Sequence, residues 1–253
     1  MGLPAAVPAL LLDDLTKRYG DRLAVDRLSL EVAPGEVVGF LGPNGAGKTT
    51  TMKMACGLLR PTAGRVLVGG VDVADEPARA KALIGYCPDQ PALYEKLTGR
   101  QMLELAADLY GVAREHQAAA IPPMLEEFAL LEHADELVQS FSRGMRQKLS
   151  LCCALIHDPT VLFLDEPTVG LDPASARQLK EVIAGLRRRG RSVFLSTHVL
   201  EVAERVCDRV AIVDRGRVLH VGSPAEVGRL VGESSLEDAF LRITGAGPAA
   251  IAV

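Results

Sequence analysis

The stretch Gly42-Pro43-Asn44-Gly45-Ala46-Gly47-Lys48-Thr49-Thr50 constrains this chain more than any other, because it fits GxxxxGK[ST] at every fixed position. It follows the apolar run Val37-Val38-Gly39-Phe40-Leu41, which reads as a buried strand, and it leads into Thr50 to Leu59, which reads as a helix. The glycines let backbone N–H groups turn inward around an anion, and the start of the helix adds its positive end. In such a loop Lys48 would reach the β- and γ-phosphates of a nucleotide, and Thr49 would hold Mg²⁺ through its hydroxyl. A Gly-rich turn that binds nothing explains a bare match, but the flanking strand and helix argue against it here.

The remaining composition narrows the setting. With 253 residues, 48% apolar and 24% charged, the chain is long enough for one or two domains with a buried core. A net charge of −4 argues against a sequence-independent grip on nucleic acid, so no nucleic-acid partner is expected. Apolar runs such as Val161-Leu162-Phe163-Leu164 stop at charged residues after strand-like lengths, well short of a membrane span. Met1 to Leu12 is apolar, but it lacks a basic start and is broken by Pro4 and Pro8, so no secretory signal is expected. Cys56, Cys87, Cys152, Cys153 and Cys207 show neither CxxC nor metal spacing, and they read as reduced core-filling side chains of a cytosolic protein.

Read in order, Leu10-Leu11-Leu12 and Leu28 to Val32 look like strands, the second alternating as a half-buried antiparallel strand does. Tyr19 lies between them, either as an aromatic filler beside a turn or as a platform for a stacked base. Arg65 to Val68 and Val71 to Val73 flank Gly69-Gly70 as a hairpin, and Ala82 to Tyr86 reads as another strand. From Pro88 to Asp158 the pattern turns helical, clearest over Gln101 to Tyr110, Met124 to Leu131 and Gly144 to Ile156. The expected architecture is therefore α/β. It has a mixed, mostly parallel sheet over 1–86 and 159–232, with an antiparallel β part at its N-terminal end. A helical insertion spans 87–158, and 233–253 forms a C-terminal helix and tail. The tail from Gly245 reads as disordered. Arg187-Arg188-Arg189-Gly190 suits the negative end of a helix opened by Asp172-Pro173.

Three further stretches carry chemistry. Asp165-Glu166 closes an apolar strand, and ligands of parallel sheets bind beyond such ends. Asp165 can join Thr49 around a metal, and Glu166 is placed to deprotonate an attacking water. His198 closes the run Val193-Phe194-Leu195-Ser196-Thr197 in the same way, which suits contact with a terminal phosphate. Phe141-Ser142-Arg143-Gly144-Met145 precedes an apolar helical stripe, so Ser142 is an N-cap and the segment a second candidate anion site. Two phosphate-reading helix ends far apart in sequence suggest a dimer sharing nucleotide.

With these motifs in this order, nearly the whole chain resembles the ATP-binding subunit of ABC transporters. GPNGAGKTT is similar to the Walker A loop, VLFLDEP to Walker B with its following glutamate, and Gly170-Leu171-Asp172 to the D-loop. His198 stands at the switch histidine, Tyr19 at the adenine-stacking aromatic, and FSRGMRQ where the family carries its LSGGQ signature. The resemblance implies ATP and Mg²⁺ as ligands, with catalytic roles for Lys48, Glu166 and His198 and a place for Asp172 at the nucleotide. It implies head-to-tail pairing, with a second copy or a related ATPase subunit, in which each ATP lies between one chain's Walker motifs and Ser142 and Gly144 of the other. Arg143 and Met145 depart from the signature. In the glutamine loop Asp89 occupies the usual position with Gln90 one further on, and either could serve the metal or its water. Both departures resemble two-component exporters, which implies a transmembrane permease docking on Pro91 to Leu97, with Leu93 and Tyr94 exposed, at the inner face of the cell membrane. Other readings fare worse. A GTPase would need an NKxD-type stretch, which is missing from the sequence. A small-molecule kinase would leave the signature and His198 unexplained. ABC-type ATPases of ribosomes or DNA repair usually carry two cassettes, a long coiled-coil insertion or zinc modules, and the sequence has none of these.

Overall fold

A computed structural model describes residues 7–168, 171–232 and 235–245. Two sheets organise it. β1 (Leu10–Tyr19), β2 (Arg22–Val32), β4 (Ala63–Val68) and β5 (Val71–Asp72) form an antiparallel sheet in the order β2-β1-β4-β5. β3 (Val37–Leu41), β6 (Ile84–Cys87), β7 (Val161–Asp165), β8 (Ser192–Thr197), β9 (Arg209–Asp214) and β10 (Arg217–Gly222) form the second, ordered β10-β9-β3-β8-β7-β6. It is parallel from β9 through β6, and β10 closes its edge antiparallel.

The parallel strands are apolar on both faces, and alternation sends each set to a different layer. Val38, Phe40, Val161, Phe163 and Phe194 pack towards the antiparallel sheet and α1 (Lys48–Ala55). Phe194 anchors that layer, with ring centroids 5.2 Å from Phe40 and 5.8 Å from Phe163. Val37, Leu162, Leu164, Val193 and Leu195 face the other way. They meet α3 (Gly99–Leu109), α4 (Arg114–Glu127), α5 (Arg143–Leu155) and α6 (Pro173–Arg188), so the helical segment shares one apolar cluster with the sheet. A third cluster joins β9 to α7 (Leu200–Val206), α8 (Pro224–Val231) and α9 (Leu236–Thr244).

Several expectations are corrected. The first strand runs on to Tyr19 and pairs with β2 through irregular register, so Tyr19 ends a strand directly before the turn at Gly20-Asp21. The short strand begins at Ile84, because Pro77 at the first helical position opens a helix over Pro77–Ala82 (α2). The phosphate-loop helix ends at Ala55, where Gly57 turns left-handed at φ 66°. α4 starts ten residues earlier than expected and passes through Pro122 and Pro123. The two carbonyls those prolines cannot serve belong to Ala118 and Ala119, both exposed to solvent that can satisfy them. Gly170, 233–234 and the tail beyond Gly245 lie outside the described residues. All five cysteines are free. Burial pushes the thiols of Cys87, Cys153 and Cys207 up to about 12, which makes them inert fillers.

Candidate active site

Sheet order assembles the site. β3 lies beside β8, and β8 beside β7, so the phosphate loop, His198 and Asp165-Glu166 emerge from the same edge of three adjacent strands. β6 follows β7 and delivers Asp89 to the same edge.

The loop is shaped by glycines where no side chain fits. A Cβ on Gly42 would stand 2.4 Å from the Val213 carbonyl, and Gly47 holds φ 101° as the N-cap of α1. No side chain caps α1, so its first amides are left for an anion. Lys48 is 7% exposed, and its Nζ donates to the Gly42 carbonyl at 2.7 Å and the Pro43 carbonyl at 3.3 Å. Nζ also stands 3.7 Å from Oε1 of Glu166. A buried ammonium held among carbonyls and beside one acid is a fixed positive centre for phosphate oxygens.

Asp165 is almost wholly buried and accepts a hydrogen bond from Ser196 Oγ, and the Thr49 hydroxyl also acts on its carboxyl group. Burial raises its carboxyl above the ordinary range, and those two hydroxyls work against the shift. Ser196 owes its place to register, since it pairs directly with Asp165 across β7 and β8. Sequence reading assigned Ser196 no role.

Glu166 sits at φ 49°, a left-handed backbone that costs a non-glycine residue energy and that recurs at functional sites. Its amide donates to the Ser196 carbonyl at 3.0 Å. Its Oε2 accepts from the His198 amide at 3.2 Å and from Nδ1–H of His198 at 2.8 Å. The hydrogen bond uses Nδ1, so Nε2 of the half-exposed ring is not the atom engaged by Glu166. Lys48, Glu166 and His198 are therefore one connected group.

The open cleft over this group is lined by Pro43, Asn44, Gly45, Gly47, Lys48, Thr49, Thr50, Asp89 and Glu166, with Arg22 and Ala24 from β2. Ala46 is buried behind the loop. Arg22 escaped the sequence reading; it faces Tyr19 across the β1–β2 turn, and an arginine opening a strand gives no signal of its own. Tyr19 is 48% exposed, with Lys17 Nζ 5.3 Å from its ring centre, and stands outside this lining. The structure separates Asp89 from Gln90. Asp89 reaches the cleft with a buried, unbonded Oδ1, whereas Gln90 is exposed and outside the lining. Leu93, expected to be exposed, packs partly into the helical cluster, while Tyr94 is 64% exposed.

Ser142 and Gly144 lie outside this cleft, at the start of α5. Ser142 caps the helix by accepting from the Met145 amide at 3.2 Å. Behind it, Arg146 donates to the carbonyls of Phe141 and Gln139 and to Glu95 Oε1, tying the loop before α5 to the segment around residue 95. Asp172 caps α6, accepting from the amides of Ala174 and Ser175 and from Ser175 Oγ.

A phosphate loop, a buried aspartate with a following glutamate, and a histidine on that glutamate, flanked by an antiparallel sheet and a helical segment, define an ATP-binding cassette. Residues 25–169 match the family model described as ABC transporter, and the chain belongs to that family. It is 42% identical over 245 residues, 97% of this chain and 77% of the relative, to the daunorubicin resistance ATP-binding protein DrrA3 of Streptomyces coeruleorubidus. It is 40% identical over 228 residues, 88% of this chain and 75% of the relative, to the Nod factor export ATP-binding protein I of Burkholderia pseudomallei (strain 1710b). A solved structure described as the ATP binding subunit of an ABC transporter matches with a TM-score of 0.88 and 35% identity, covering 93% of this chain and 99% of that one. The chain is thus an ATP-binding, ATP-hydrolysing motor subunit of a transporter. Among the described residues no helix is long and apolar enough to cross a membrane.

Proposed function

We propose that this chain drives export through a separate transmembrane subunit, by closing on ATP as a head-to-tail pair and reopening after hydrolysis. The connected group Lys48–Glu166–His198, ion-paired on one side of the glutamate and hydrogen-bonded on the other, carries the reading. Glu166 takes a proton from the water that attacks the terminal phosphate, and ADP and inorganic phosphate leave. The His198 contacts hold the Glu166 carboxylate against rotation, and Lys48 neutralises charge on the phosphates. Mg²⁺ fits the donors present. Thr49, Asp165 and Asp89 offer hard oxygens, one of them buried and unbonded, and would hold the ion against the phosphates. Among the described residues no cluster of three or more acids, histidines or cysteines could bind a metal alone, which suits an ion that completes its shell with phosphate and water. When bound, Mg²⁺ supplies charge neutralisation at the phosphates.

Pairing is supported by the separation of Ser142 and Gly144 from the cleft of their own chain, since a partner chain would bring such a helix end to the nucleotide. Tyr19 is assigned to the adenine and Asp172 to the nucleotide. The segment Pro91–Leu97 is assigned to the membrane subunit through Tyr94, with the chain held at the inner face of the cell membrane. The division into core, helical body over 87–158 and C-terminal piece belongs to the same proposal. Export follows the relatives named above. Co-purification with the membrane subunit should raise the ATPase rate, and Tyr94→Ala should remove that rise. A rate indifferent to the partner would overturn the assignment.

A further inference from the structure

Two departures from the family pattern, read separately in the sequence, meet in the structure. Arg143 replaces a small residue in the signature, and Asp89 replaces glutamine in the loop after β6. Their side chains form an ion pair, with Arg143 Nη2 3.9 Å from Asp89 Oδ1. Asp89 also lines the cleft beside Lys48, Thr49 and Glu166, so this pair links a chain's own nucleotide site to its signature.

The local chemistry suits a contact made to be exchanged. Arg143 is the first residue of α5, where a cation opposes the helix dipole and adds nothing to helix stability. Its neighbour Arg146 is fixed by three hydrogen bonds and is not free to take its place. Arg143 keeps 61% of its side chain exposed and, among the described residues, has only the long contact to Asp89. The acid is held within reach because the buried Gln147 of α5 contacts Cys87 Sγ and the Pro88 carbonyl, both at 3.5 Å. Oδ1 of Asp89 has no hydrogen-bond partner, so a cation arriving with a nucleotide would compete for it directly.

We propose that Arg143 is a latch, paired with Asp89 in the free chain, released when nucleotide fills that chain's own cleft, and thereby freed to meet the triphosphate held by a second copy. Arg143 is thus a positioning residue that makes one site's occupancy felt at the other. This rests on the head-to-tail reading above for its second half only.

The test is a double-mutant cycle on ATP affinity, measured by equilibrium binding with Mg²⁺ at protein concentrations too low for pairing. Each variant also carries Glu166→Gln to prevent turnover. Removing Arg143 abolishes the latch only where Asp89 is present, while any direct pull of Arg143 on ATP is common to both backgrounds and cancels. Arg143→Met should tighten ATP binding about 2- to 5-fold more in the Asp89 parent than in the Asp89→Asn background, the scale of an exposed ion pair. Arg143→Lys should behave as the parent does. Equal effects in both backgrounds would overturn the latch. ATP-driven pairing on a sizing column is the second readout: Arg143→Met should weaken it and Arg143→Lys restore it. A cycle that shows coupling while pairing ignores Arg143 would keep the latch and refute the trans contact.

Discussion

Asp165 and Glu166 stand at the end of a parallel strand, and Lys48 opens the buried helix that follows the loop after another, with Lys48 7% and Asp165 3% exposed and each side chain held by at least one fixed partner. Ser142 and Arg143 instead occupy the exposed start of α5, with Gly144 beside them, and are held there by a cap and by the arginine behind it, while the rest of α5 packs into the core. The first region places reacting groups on a packed sheet that barely deforms. The second presents a few exposed groups at a helix end whose local ties are hydrogen bonds at the surface. On the roles proposed above, chemistry would be built where packing is tightest, and assembly where small rearrangements cost little.

Substitutions can break or sharpen that contrast. The largest effect falls on the strand side. Glu166→Gln should cut turnover by ~10²–10⁴-fold while ATP still binds, and it should accumulate an ATP-bound pair on a sizing column. Turnover at the parent rate would assign the base elsewhere. Lys48→Ala should weaken ATP by ~100-fold in equilibrium binding, because it removes a buried charged donor; unchanged affinity would undo the phosphate-loop assignment. On the helix side the expected signature is different. In the Glu166→Gln background, Ser142→Ala should raise the ATP concentration needed for pairing by ~10-fold and leave affinity in the dilute chain alone. A loss of dilute-chain affinity would erase the distinction between the regions. Tyr19→Ala should weaken ATP about 5-fold while leaving competition by inorganic phosphate unchanged, as loss of base stacking requires. Arg146→Met should shift pairing by about 3-fold, and titration of pairing against ATP will detect it, since one of its three acceptors is a carboxylate.

Legibility in the sequence followed the same divide. The strand-borne site could be read because a parallel strand buried on both faces is a continuous apolar run, and each run ended in its functional residues, Leu164-Asp165-Glu166 and Thr197-His198. The glycine pattern of the loop encodes its own geometry. What stayed hidden arises between elements. Ser196 reaches Asp165 through strand register, Arg22 reaches the cleft across an irregular β1–β2 pairing, and Arg143 meets Asp89 only after α5 packs against β6. Local cues also misled. The clear helical pattern began only at Met124, yet α4 starts at Arg114 and passes through Pro122 and Pro123, and Leu93 read as exposed although the helical cluster takes it in.

The helical segment leaves the sheet at the top of β6 and rejoins it at the bottom of β7, two strands paired from Ile84–Val161 to Cys87–Leu164. Its two backbone attachments are therefore offset along one edge by about three residue steps, roughly 10 Å. Sliding the segment away would stretch both connections together, whereas turning it about an axis parallel to those strands stretches neither. On the docking proposed above, a push near Tyr94 would be turned by this anchorage into a swing about the β6–β7 edge, and the start of α5 would travel with it.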